Sequence, residues 1–218
     1  MQTRKWYDKP LHALARGVFT VLFTLIFPVR VQGKANYKGR TGKCLLYANH
    51  TTLLDAILVA YLMCPRKTYF MAKSSLLESN GFFTAILTSL GAVAVRRGEP
   101  DIMAMKRSLD ILNHEAYFTV FPEGTRNKGC RFDLQPFQSG VGLIALRSKA
   151  PILPIYIDNH GVKPFHRIDV AVGPEIDLSD LLARSGGRVN SETIAAATGR
   201  MQSTLQAMAD EAREASGQ

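Results

Sequence analysis

Residues 43–63 read "KCLLYANHTTLLDAILVAYLM". The first six, 43–48, form a short apolar run with the length and composition of a buried strand. The last eleven, 53–63, are long and apolar enough for a helix, and Pro65 follows where that helix is expected to end. The polar residues 49–52 lie between the two. The stretch therefore predicts a buried strand that leads through a short turn into a helix, a unit typical of α/β folds.

The rest of the chain repeats this alternation of strands and helices. Further strands are predicted at 68–72, 92–95, 116–121, 152–157 and 167–172. Further helices are predicted at 74–90 (interrupted at Asn80 and Gly81), at 99–114, near 134–148 and at 190–213. Because strands that alternate with helices usually form a parallel sheet covered by those helices, we expect a single-domain α/β sandwich with a mostly parallel central sheet. In such folds, binding sites form in the loops at the carboxyl ends of the strands.

The composition agrees with one well-packed domain. The chain has 218 residues, of which 46% are hydrophobic and 21% are charged, so it can bury a full core. Its three cysteines are odd in number and widely spaced, which fits no disulfide or metal-binding pattern and favours a reducing compartment. No metal site is visible in the sequence.

The net charge of +9 is concentrated at the amino terminus. Residues 1–43 contain nine Lys and Arg and one Asp, which gives +8 of the +9. A basic terminal segment indicates an anionic partner, either nucleic acid or lipid headgroups. Nucleic-acid binding would need stacking aromatic residues interleaved with the basic ones on a polar face, whereas residues 17–29 are apolar. The charge therefore favours a lipid surface.

The apolar run at 17–29, "GVFTVLFTLIFPV", is too short for an ordinary membrane span. As a helix its 13 residues measure about 20 Å, against ~30 Å for the hydrocarbon core of a bilayer. Extending the run back to Leu11 lengthens it to 19 residues but includes Arg16. A basic helix of this length, flanked by Trp6 and Tyr7, is typical of a segment that lies in one leaflet. The alternatives are a signal peptide, a true span or an ordinary buried helix, although no small-x-small cleavage site follows the run.

The turn at 49–52 brings a histidine close to an aspartate. Thr52 can cap the following helix, and Asp55 then occupies the third position of a capping box. Within one helix, five residues would separate two side chains by about 140°, so His50 can contact Asp55 only because a turn ends and a helix begins between them. One interpretation is that Asp55 only caps the helix. The other is a dyad, in which Asp55 accepts a hydrogen bond from one ring nitrogen of His50 and the other nitrogen takes a proton from a hydroxyl group.

A dyad in this chain would lack a nucleophile of its own. The sequence contains no G-x-S-x-G serine motif. Cys44 lies inside the predicted strand and not next to the histidine. The attacking hydroxyl group is therefore expected to belong to the substrate.

A second loop, "VFPEGTR" at 120–126, leaves the predicted strand 116–121 at an equivalent position. Gly124 lets the backbone approach a ligand closely. Thr125 offers a hydroxyl group, and Arg126 offers a planar guanidinium suited to phosphate. The loop is therefore expected to bind an anionic substrate.

Three more cations lie at the ends of predicted strands. Lys73 follows the strand at 68–72, and Arg96 and Arg97 follow the strand at 92–95. Any one of them could be a solvated surface charge. Together with Arg126 they place four cations at the ends of three strands, which predicts a cationic rim on one side of the sheet.

At these residues the sequence resembles the glycerolipid acyltransferase family, which contains the 1-acyl-glycerol-3-phosphate (lysophosphatidate) acyltransferases. Residues 50–55, "HTTLLD", resemble its H-x-x-x-x-D block, and residues 91–97, "GAVAVRR", are similar to its second block. Residues 121–126, "FPEGTR", match the third block at every position, and residues 152–155, "ILPI", resemble the fourth. The four blocks occur in the family's order and with similar separations, and Arg96 stands where relatives often have a different residue.

The resemblance implies an O-acyltransferase of phospholipid biosynthesis. Such an enzyme moves a fatty acyl group from acyl-coenzyme A or acyl-carrier protein to the free hydroxyl group of 1-acyl-glycerol-3-phosphate, which gives phosphatidate. The thioester is a co-substrate, and no cofactor or metal is implied. The expected site residues are His50 as general base and Asp55 as its orienting partner, with Lys73, Arg96, Arg97, Glu123, Gly124, Thr125 and Arg126 as substrate-binding residues. Glu123 is expected to orient Arg126 by an ion pair.

This interpretation divides the chain into a membrane-associating segment, residues 1–32, and an acyltransferase domain, residues 33–218. We expect the protein on the cytoplasmic face of the cell membrane, bound to anionic lipids, with acyl-carrier protein as a possible donor. One alternative keeps the chemistry but changes the acceptor to glycerol-3-phosphate, another lysophospholipid or a lyso-aminolipid. Another alternative is a non-catalytic protein that binds anionic lipids.

Overall fold

A computed structural model describes most of the chain. The described residues are 17, 21, 23–63, 66–77, 81, 84, 87–88, 91–95, 102–114, 116–128, 131–158 and 165–217. Within these ranges the chain forms seven strands: β1 (Val29–Gln32), β2 (Cys44–Ala48), β3 (Thr68–Lys73), β4 (Ala92–Val95), β5 (Tyr117–Val120), β6 (Ile152–Asp158) and β7 (Ile168–Val172). They form one sheet in the order β1-β7-β6-β2-β5-β3-β4.

The sheet is mostly parallel, as the sequence predicts. Five of the six neighbouring pairs are parallel, and the pair β6–β7 is antiparallel. The central strand β2 is buried along its whole length, which explains its continuous apolar sequence. It lies between β5 and β6, whose loops approach the turn that follows it.

Helices cover both faces of the sheet. They are α1 (Leu54–Leu62), α2 (Ser74–Leu77), α3 (Ile102–Asn113), α4 (Gly140–Ser148), α5 (Ser179–Arg184) and α6 (Ser191–Ala215), and Lys34–Asn36 form a 3₁₀ turn. Alternate residues of β2 point to opposite faces: Leu46 packs with α1 on one side, and Leu45 and Tyr47 pack with α3, α4 and α6 on the other. The expected α/β architecture, a mostly parallel sheet flanked by helices, is confirmed.

Helices α4 and α6 approach each other closely at Gly142. A Cβ atom at this position would lie 2.6 Å from the carbonyl oxygen of Ile194 and closer still to Thr198 Oγ1. Helix packing therefore explains this glycine. Helix α4 begins at Gly140, later than the predicted start near 134, because the preceding residues bond to side chains of α6 instead of to each other.

Strand β1 differs from the sequence prediction. The division at residue 32 places Val29–Gln32 in the membrane-associating segment, whereas the structure pairs these residues in parallel with β7. Their sequence, "VRVQ", alternates apolar and polar side chains, and their burial alternates in the same way. The alternation is the signal of an edge strand, which the preceding apolar run obscures.

The part of the N-terminal segment that the structure describes is helical up to Ile26. Phe23 is buried against Phe27 and Tyr61, with ring centroids 4.9 and 5.4 Å away. Val21 and Leu25 are exposed. Among the described residues, no helix has the length and hydrophobicity needed to cross a bilayer. Most of the predicted membrane-associating segment, including residues 1–16, lies outside the described residues.

Five parallel strands end on one side of the sheet, which we call the carboxyl edge. It is defined by Ala48, Lys73, Val95, Val120 and Asp158, the last residues of β2 to β6. Because β7 runs antiparallel to β6, and β1 parallel to β7, those two strands begin at the same edge. We call the opposite side the amino edge.

Candidate active site

The turn after β2 places His50 against Asp55 at the carboxyl edge. His50 Nδ1 lies 3.0 Å from Asp55 Oδ2, and their side chains are only 9% and 1% exposed. The predicted contact is therefore present. Because Nδ1 faces the carboxylate, Nε2 is the ring nitrogen left for proton exchange with another molecule.

Asp55 also organises the turn itself. Its Oδ2 accepts hydrogen bonds from the backbone N–H groups of Thr51 and Thr52 at 2.7 and 2.8 Å, and its Oδ1 accepts one from the Thr52 hydroxyl at 2.8 Å. Thr52 Oγ1 accepts in turn from the Leu54 N–H at 3.2 Å. The predicted capping box is only partly formed: Asp55 accepts from the Thr52 N–H as expected, but the helix has Leu53 as its N-cap, and the Asp55 N–H donates to the Thr52 carbonyl and not to its hydroxyl. The two interpretations of Asp55 are thus compatible, since one carboxylate holds both the turn and the imidazole. These hydrogen bonds offset the loss of hydration on burial.

Asn49 fixes the start of the same turn. Its side-chain amide donates to the Ile157 carbonyl at 2.9 Å and accepts from the Ile157 N–H at 2.7 Å. It thereby continues the pairing of β2 with β6 one residue beyond the end of β2. The sequence interpretation gives Asn49 no role. Its signal would have been an amide side chain directly after a strand that is buried between two neighbours.

Glu123 holds the backbone of His50 and not the side chain of Arg126. Its Oε1 accepts from the His50 N–H at 2.8 Å, and its Oε2 accepts from the Gln135 N–H at 3.1 Å. Burial of this carboxyl group raises its pKa, and the two backbone N–H groups partly oppose that rise. The expected ion pair between Glu123 and Arg126 is wrong, because backbone amides take both carboxylate oxygens.

Two further contacts from the β5 loop hold His50. The backbone N–H of Asn127 donates to the His50 carbonyl at 2.7 Å. The ring of Phe121 stacks on the imidazole, with centroids 4.5 Å apart and planes inclined by 30°. His50 is thus fixed through its backbone by Glu123 and Asn127, and through its ring by Asp55 and Phe121. Of these four contacts, the sequence predicts only the one with Asp55.

The loop that contains Gln135 is bound in turn to α6. Gln206 Oε1 accepts from the Leu134 N–H at 3.1 Å, and Gln206 Nε2 donates to the Phe132 carbonyl at 2.9 Å. Gln202 Oε1 accepts from the Phe137 N–H at 3.1 Å. A continuous set of hydrogen bonds therefore runs from the last helix through this loop and Glu123 to His50.

The backbone at Gly124 favours a residue without a side chain. Its φ is +71°, and a Cβ atom there would approach Gln138 Cγ to 3.2 Å. Thr125 and Arg126, which follow it, are exposed at the carboxyl edge. No described residue forms a hydrogen bond or an ion pair with the guanidinium group of Arg126, which faces solvent.

The structure places only part of the predicted cationic rim. Lys73 is the last residue of β3, and its main chain pairs with Val95 at the end of β4. Strands β2 and β3 flank β5, so the main chains of His50 and Lys73 lie about two strand spacings, or about 10 Å, apart across the sheet. Arg96 and Arg97 lie outside the described residues, and their position stays a prediction.

An ion pair lies at the carboxyl edge, where β6 ends. Arg131 binds Asp158 in a two-pronged contact, with Nε–Oδ1 and Nη2–Oδ2 distances of 2.5 and 2.8 Å. The Tyr156 hydroxyl donates to the Arg131 carbonyl at 2.9 Å. Within the described part of the chain, no group of three or more His, Cys, Asp or Glu side chains is arranged to hold a metal ion.

Comparison with known proteins agrees with the resemblance in the motifs. The sequence model of the acyltransferase family matches residues 28–158, which is more than half of the chain. The 1-acyl-sn-glycerol-3-phosphate acyltransferase of Streptococcus pneumoniae is 25% identical over 218 residues, covering 95% of this chain and 76% of that protein. The Helicobacter pylori protein of the same name is 34% identical over 122 residues, covering 55% of this chain and 50% of its own.

A solved structure has the same fold. The crystal structure of the 1-acyl-sn-glycerophosphate (LPA) acyltransferase PlsC from Thermotoga maritima aligns with a TM-score of 0.65. The alignment covers 93% of this chain and 78% of the Thermotoga chain, at 22% sequence identity. At this identity the likeness shows the shared fold alone.

Proposed function

Because this chain belongs to the acyltransferase family and is an acyltransferase, we propose that its acceptor is 1-acyl-glycerol-3-phosphate and its product phosphatidate. The fatty acyl group would come from an acyl thioester, either acyl-coenzyme A or acyl-carrier protein. The buried contact of 3.0 Å between His50 Nδ1 and Asp55 Oδ2 is the observation that supports this chemistry most strongly. The names of the two bacterial relatives support the choice of acceptor.

In the proposed reaction, His50 is the general base. Nε2 takes the proton of the acceptor hydroxyl as its oxygen attacks the thioester carbonyl carbon. Asp55 holds Nδ1–H and stabilises the imidazolium ion that forms. When the tetrahedral intermediate collapses, the carbon–sulfur bond breaks and the departing thiolate takes the proton back from the imidazolium. A positioned base is typically worth about 10²–10⁴-fold in rate, or about 3–5 kcal/mol.

Arg126 is the proposed anchor of the acceptor phosphate, together with Lys73, Arg96 and Arg97. Its position in the loop after β5, next to the loop that holds His50, supports this role. Its exposed guanidinium matches the geometry of a phosphate group. Thr125 and Gly124 would contribute a hydroxyl group and a closely approaching backbone.

The N-terminal segment is the proposed membrane anchor. Its basic charge suits the anionic cytoplasmic leaflet, and its exposed Val21 and Leu25 suit the headgroup–acyl boundary. In this arrangement the segment lies in one leaflet and leads directly into β1. The acceptor, itself a bilayer lipid, then enters the site from the membrane.

A panel of donors and acceptors tests the proposed substrate. Purified enzyme is given acyl-coenzyme A or acyl-carrier protein with 1-acyl-glycerol-3-phosphate, glycerol-3-phosphate, lysophosphatidylethanolamine or a monoacylglycerol. We expect the highest kcat/KM with 1-acyl-glycerol-3-phosphate. An equal kcat/KM with the phosphate-free monoacylglycerol would contradict the role of the cationic rim.

Substitution of Arg126 sharpens the same test. Arg126→Ala is expected to raise the KM for 1-acyl-glycerol-3-phosphate about ten-fold and to leave the rate with monoacylglycerol unchanged, because one charge-assisted contact is lost. Arg147→Ala, which removes an exposed cation at the end of α4 on the amino edge, is the matched control and should change neither value. If both substitutions raised the KM for 1-acyl-glycerol-3-phosphate equally, the cause would be the loss of positive charge in general and not the loss of a specific contact between Arg126 and the phosphate.

A further inference from the structure

Large apolar side chains are exposed on one side of this molecule. Among the described residues, the exposed ones are Val21, Leu25, Ile26, Leu53, Ile102, Met103 and Phe165. Four of them lie at the carboxyl edge: before α1, at the start of α3 and before β7. The other three lie on the helical segment that leads to β1. Single exposed hydrophobic residues are common, but their concentration around the edge that contains His50 indicates a contact surface.

Phe165 is the most exposed of these residues and has a strained backbone. Its side chain is 77% exposed, and its φ of +65° is one that glycine adopts freely and bulky residues rarely do. Its backbone N–H donates to the Ile26 carbonyl at 2.7 Å, which joins the Phe165 turn to the end of the N-terminal helical segment. Folding of the chain gains little from an aromatic ring in this position. Such a combination of strain and exposure is typical of functional positions.

We propose that the Phe165 turn is a second membrane contact, beside the N-terminal segment, and that it inserts its ring into the headgroup–acyl boundary of an anionic leaflet. This inference rests on the proposed function, which places the acceptor in the membrane. The partner is a lipid surface because exposed cations accompany the apolar residues: Arg126 and Lys128 lie at the carboxyl edge, and Arg30 is exposed near the start of β1. Apolar side chains combined with basic ones match an anionic bilayer surface.

Two contacts on one edge determine how the protein sits on the membrane. With the N-terminal segment alone, the domain could rotate about its attachment. With Phe165 also inserted, the carboxyl edge faces the lipid, and the strands extend from that edge away from the membrane surface. Strand β7, which follows Phe165, lies two positions from β2 in the sheet, or about 10 Å. His50, at the end of β2, is then held close to the lipid headgroups.

Tryptophan fluorescence tests the insertion directly. The chain has one tryptophan, Trp6, which is first replaced by Phe. Phe165→Trp then reports from the carboxyl edge. Lys149→Trp is the matched control, because Lys149 is exposed, also has a positive φ (49°) and lies between α4 and β6 at the amino edge. Both variants are mixed with vesicles of phosphatidylglycerol and phosphatidylcholine whose acyl chains are brominated.

We expect the emission of the Phe165→Trp variant to shift to the blue and to be quenched by the bromines, and the emission of the Lys149→Trp variant to stay unchanged. If the protein sediments with the vesicles but the emission of Phe165→Trp is not quenched, the inference is wrong. Equal quenching at both positions would overturn it as well, because the protein would then adsorb without a fixed orientation.

Phe165→Gly separates membrane contact from folding. Glycine suits the positive φ, so the Tm should stay the same or rise. Loss of the ring should weaken partitioning onto the anionic vesicles about ten-fold, and acyl transfer to vesicle-bound acceptor should fall in parallel. In detergent micelles, the rate should stay within about two-fold of wild type, since the ring is not part of the reacting site.

The outcomes distinguish this inference from the proposed function. If Phe165→Gly binds vesicles like wild type while both proteins acylate the acceptor in micelles, the second contact is wrong and the proposed function stands. If wild type acylates no lysophospholipid in micelles, the proposed function is wrong, and the quenching experiment still decides where the membrane contact lies. Unchanged vesicle binding would also mean that the exposed ring serves another partner, such as a protein.

Discussion

Two of the described histidines contact an aspartate, at opposite edges of the sheet. At the carboxyl edge, His50 Nδ1 lies 3.0 Å from Asp55, and both side chains are almost fully buried. At the amino edge, just after α3, His114 Nδ1 lies 3.5 Å from Asp110, and both side chains are 73% exposed. His114 Nδ1 also lies 2.7 Å from the backbone carbonyl oxygen of Asp110, so the His114 side chain mainly caps the C-terminal end of α3.

The difference lies in what surrounds each pair. Asp110 and His114 are one helical turn apart in water, where such contacts contribute little. Around His50, backbone amides and a hydroxyl group fix the carboxylate of Asp55, Phe121 fixes the ring, and Glu123 fixes the backbone. A histidine next to an aspartate therefore does not make a site by itself; burial and fixed orientation do.

The largest difference is expected when each histidine is removed. His50→Ala should lower kcat/KM for acyl transfer by at least about 100-fold, because the proposed general base is lost. His114→Ala should stay within about two-fold of wild type. Initial rates with purified proteins measure both, and vesicle sedimentation should show equal membrane binding. Comparable losses in the two variants would remove the distinction between the pairs.

Removing the charge of each aspartate should have the next largest effect. Asp55→Asn is expected to slow acyl transfer roughly 30-fold, about 2 kcal/mol, because the amide stabilises the imidazolium ion less than the carboxylate does. Asp110→Asn should leave the rate unchanged within about two-fold. The measurement is kcat at saturating acceptor. If Asp55→Asn were as active as wild type, the carboxylate would serve only as a helix cap.

Glu123 distinguishes support of the backbone from contact with substrate. Glu123→Gln replaces one of two acceptor oxygens by an N–H group, which faces the backbone N–H of His50 or Gln135. We expect kcat to fall about ten-fold with little change in the KM for acceptor, because His50 shifts while the phosphate site remains. A raised KM with unchanged kcat would show instead that Glu123 binds substrate.

The smallest expected effect is on stability as a function of pH. Burial raises the pKa of Glu123 above its ordinary value of 4.5, so the folded protein holds this proton more tightly than the unfolded chain. The contribution of Glu123 to the free energy of unfolding is therefore fully present below pH 4.5 and falls as the pH rises through the folded-state pKa. Urea unfolding of wild type and Glu123→Gln should give a difference in the free energy of unfolding that decreases as the pH rises above 4.5. If the difference in the free energy of unfolding between the two proteins stayed constant or increased with pH, a raised pKa of Glu123 could not be its cause.

The local part of the site could be predicted from sequence. The strand, turn and helix at 43–63, and the contact of His50 with Asp55, follow from residues that are close along the chain, and the structure contains all of them. The same holds for the alternation of strands and helices that gives the parallel sheet. Short-range signals such as apolar periodicity and helix caps are sufficient for these features.

The long-range part could not be predicted. Glu123 reaches a backbone amide 73 residues away, and Gln206 reaches one 72 residues away, so no local pattern marks either contact. Strand β1 has a local signal in its alternating side chains, but the preceding apolar run obscures it, and its partner, β7, lies far along the chain. The contacts that fix His50 thus depend on the completed fold, whereas the residues that contact Asp55 depend on a single turn.

A double-mutant cycle on His50 and Asp55 tests the central claim most directly, namely that the two side chains act as one unit. Acyl transfer is measured for His50→Ala, Asp55→Asn and the double variant with the same donor and acceptor. If Asp55 acts only through the imidazole, the double variant should be no slower than His50→Ala alone. Losses that multiply, to roughly 3000-fold in the double variant, would show that the two residues act independently and would contradict the dyad.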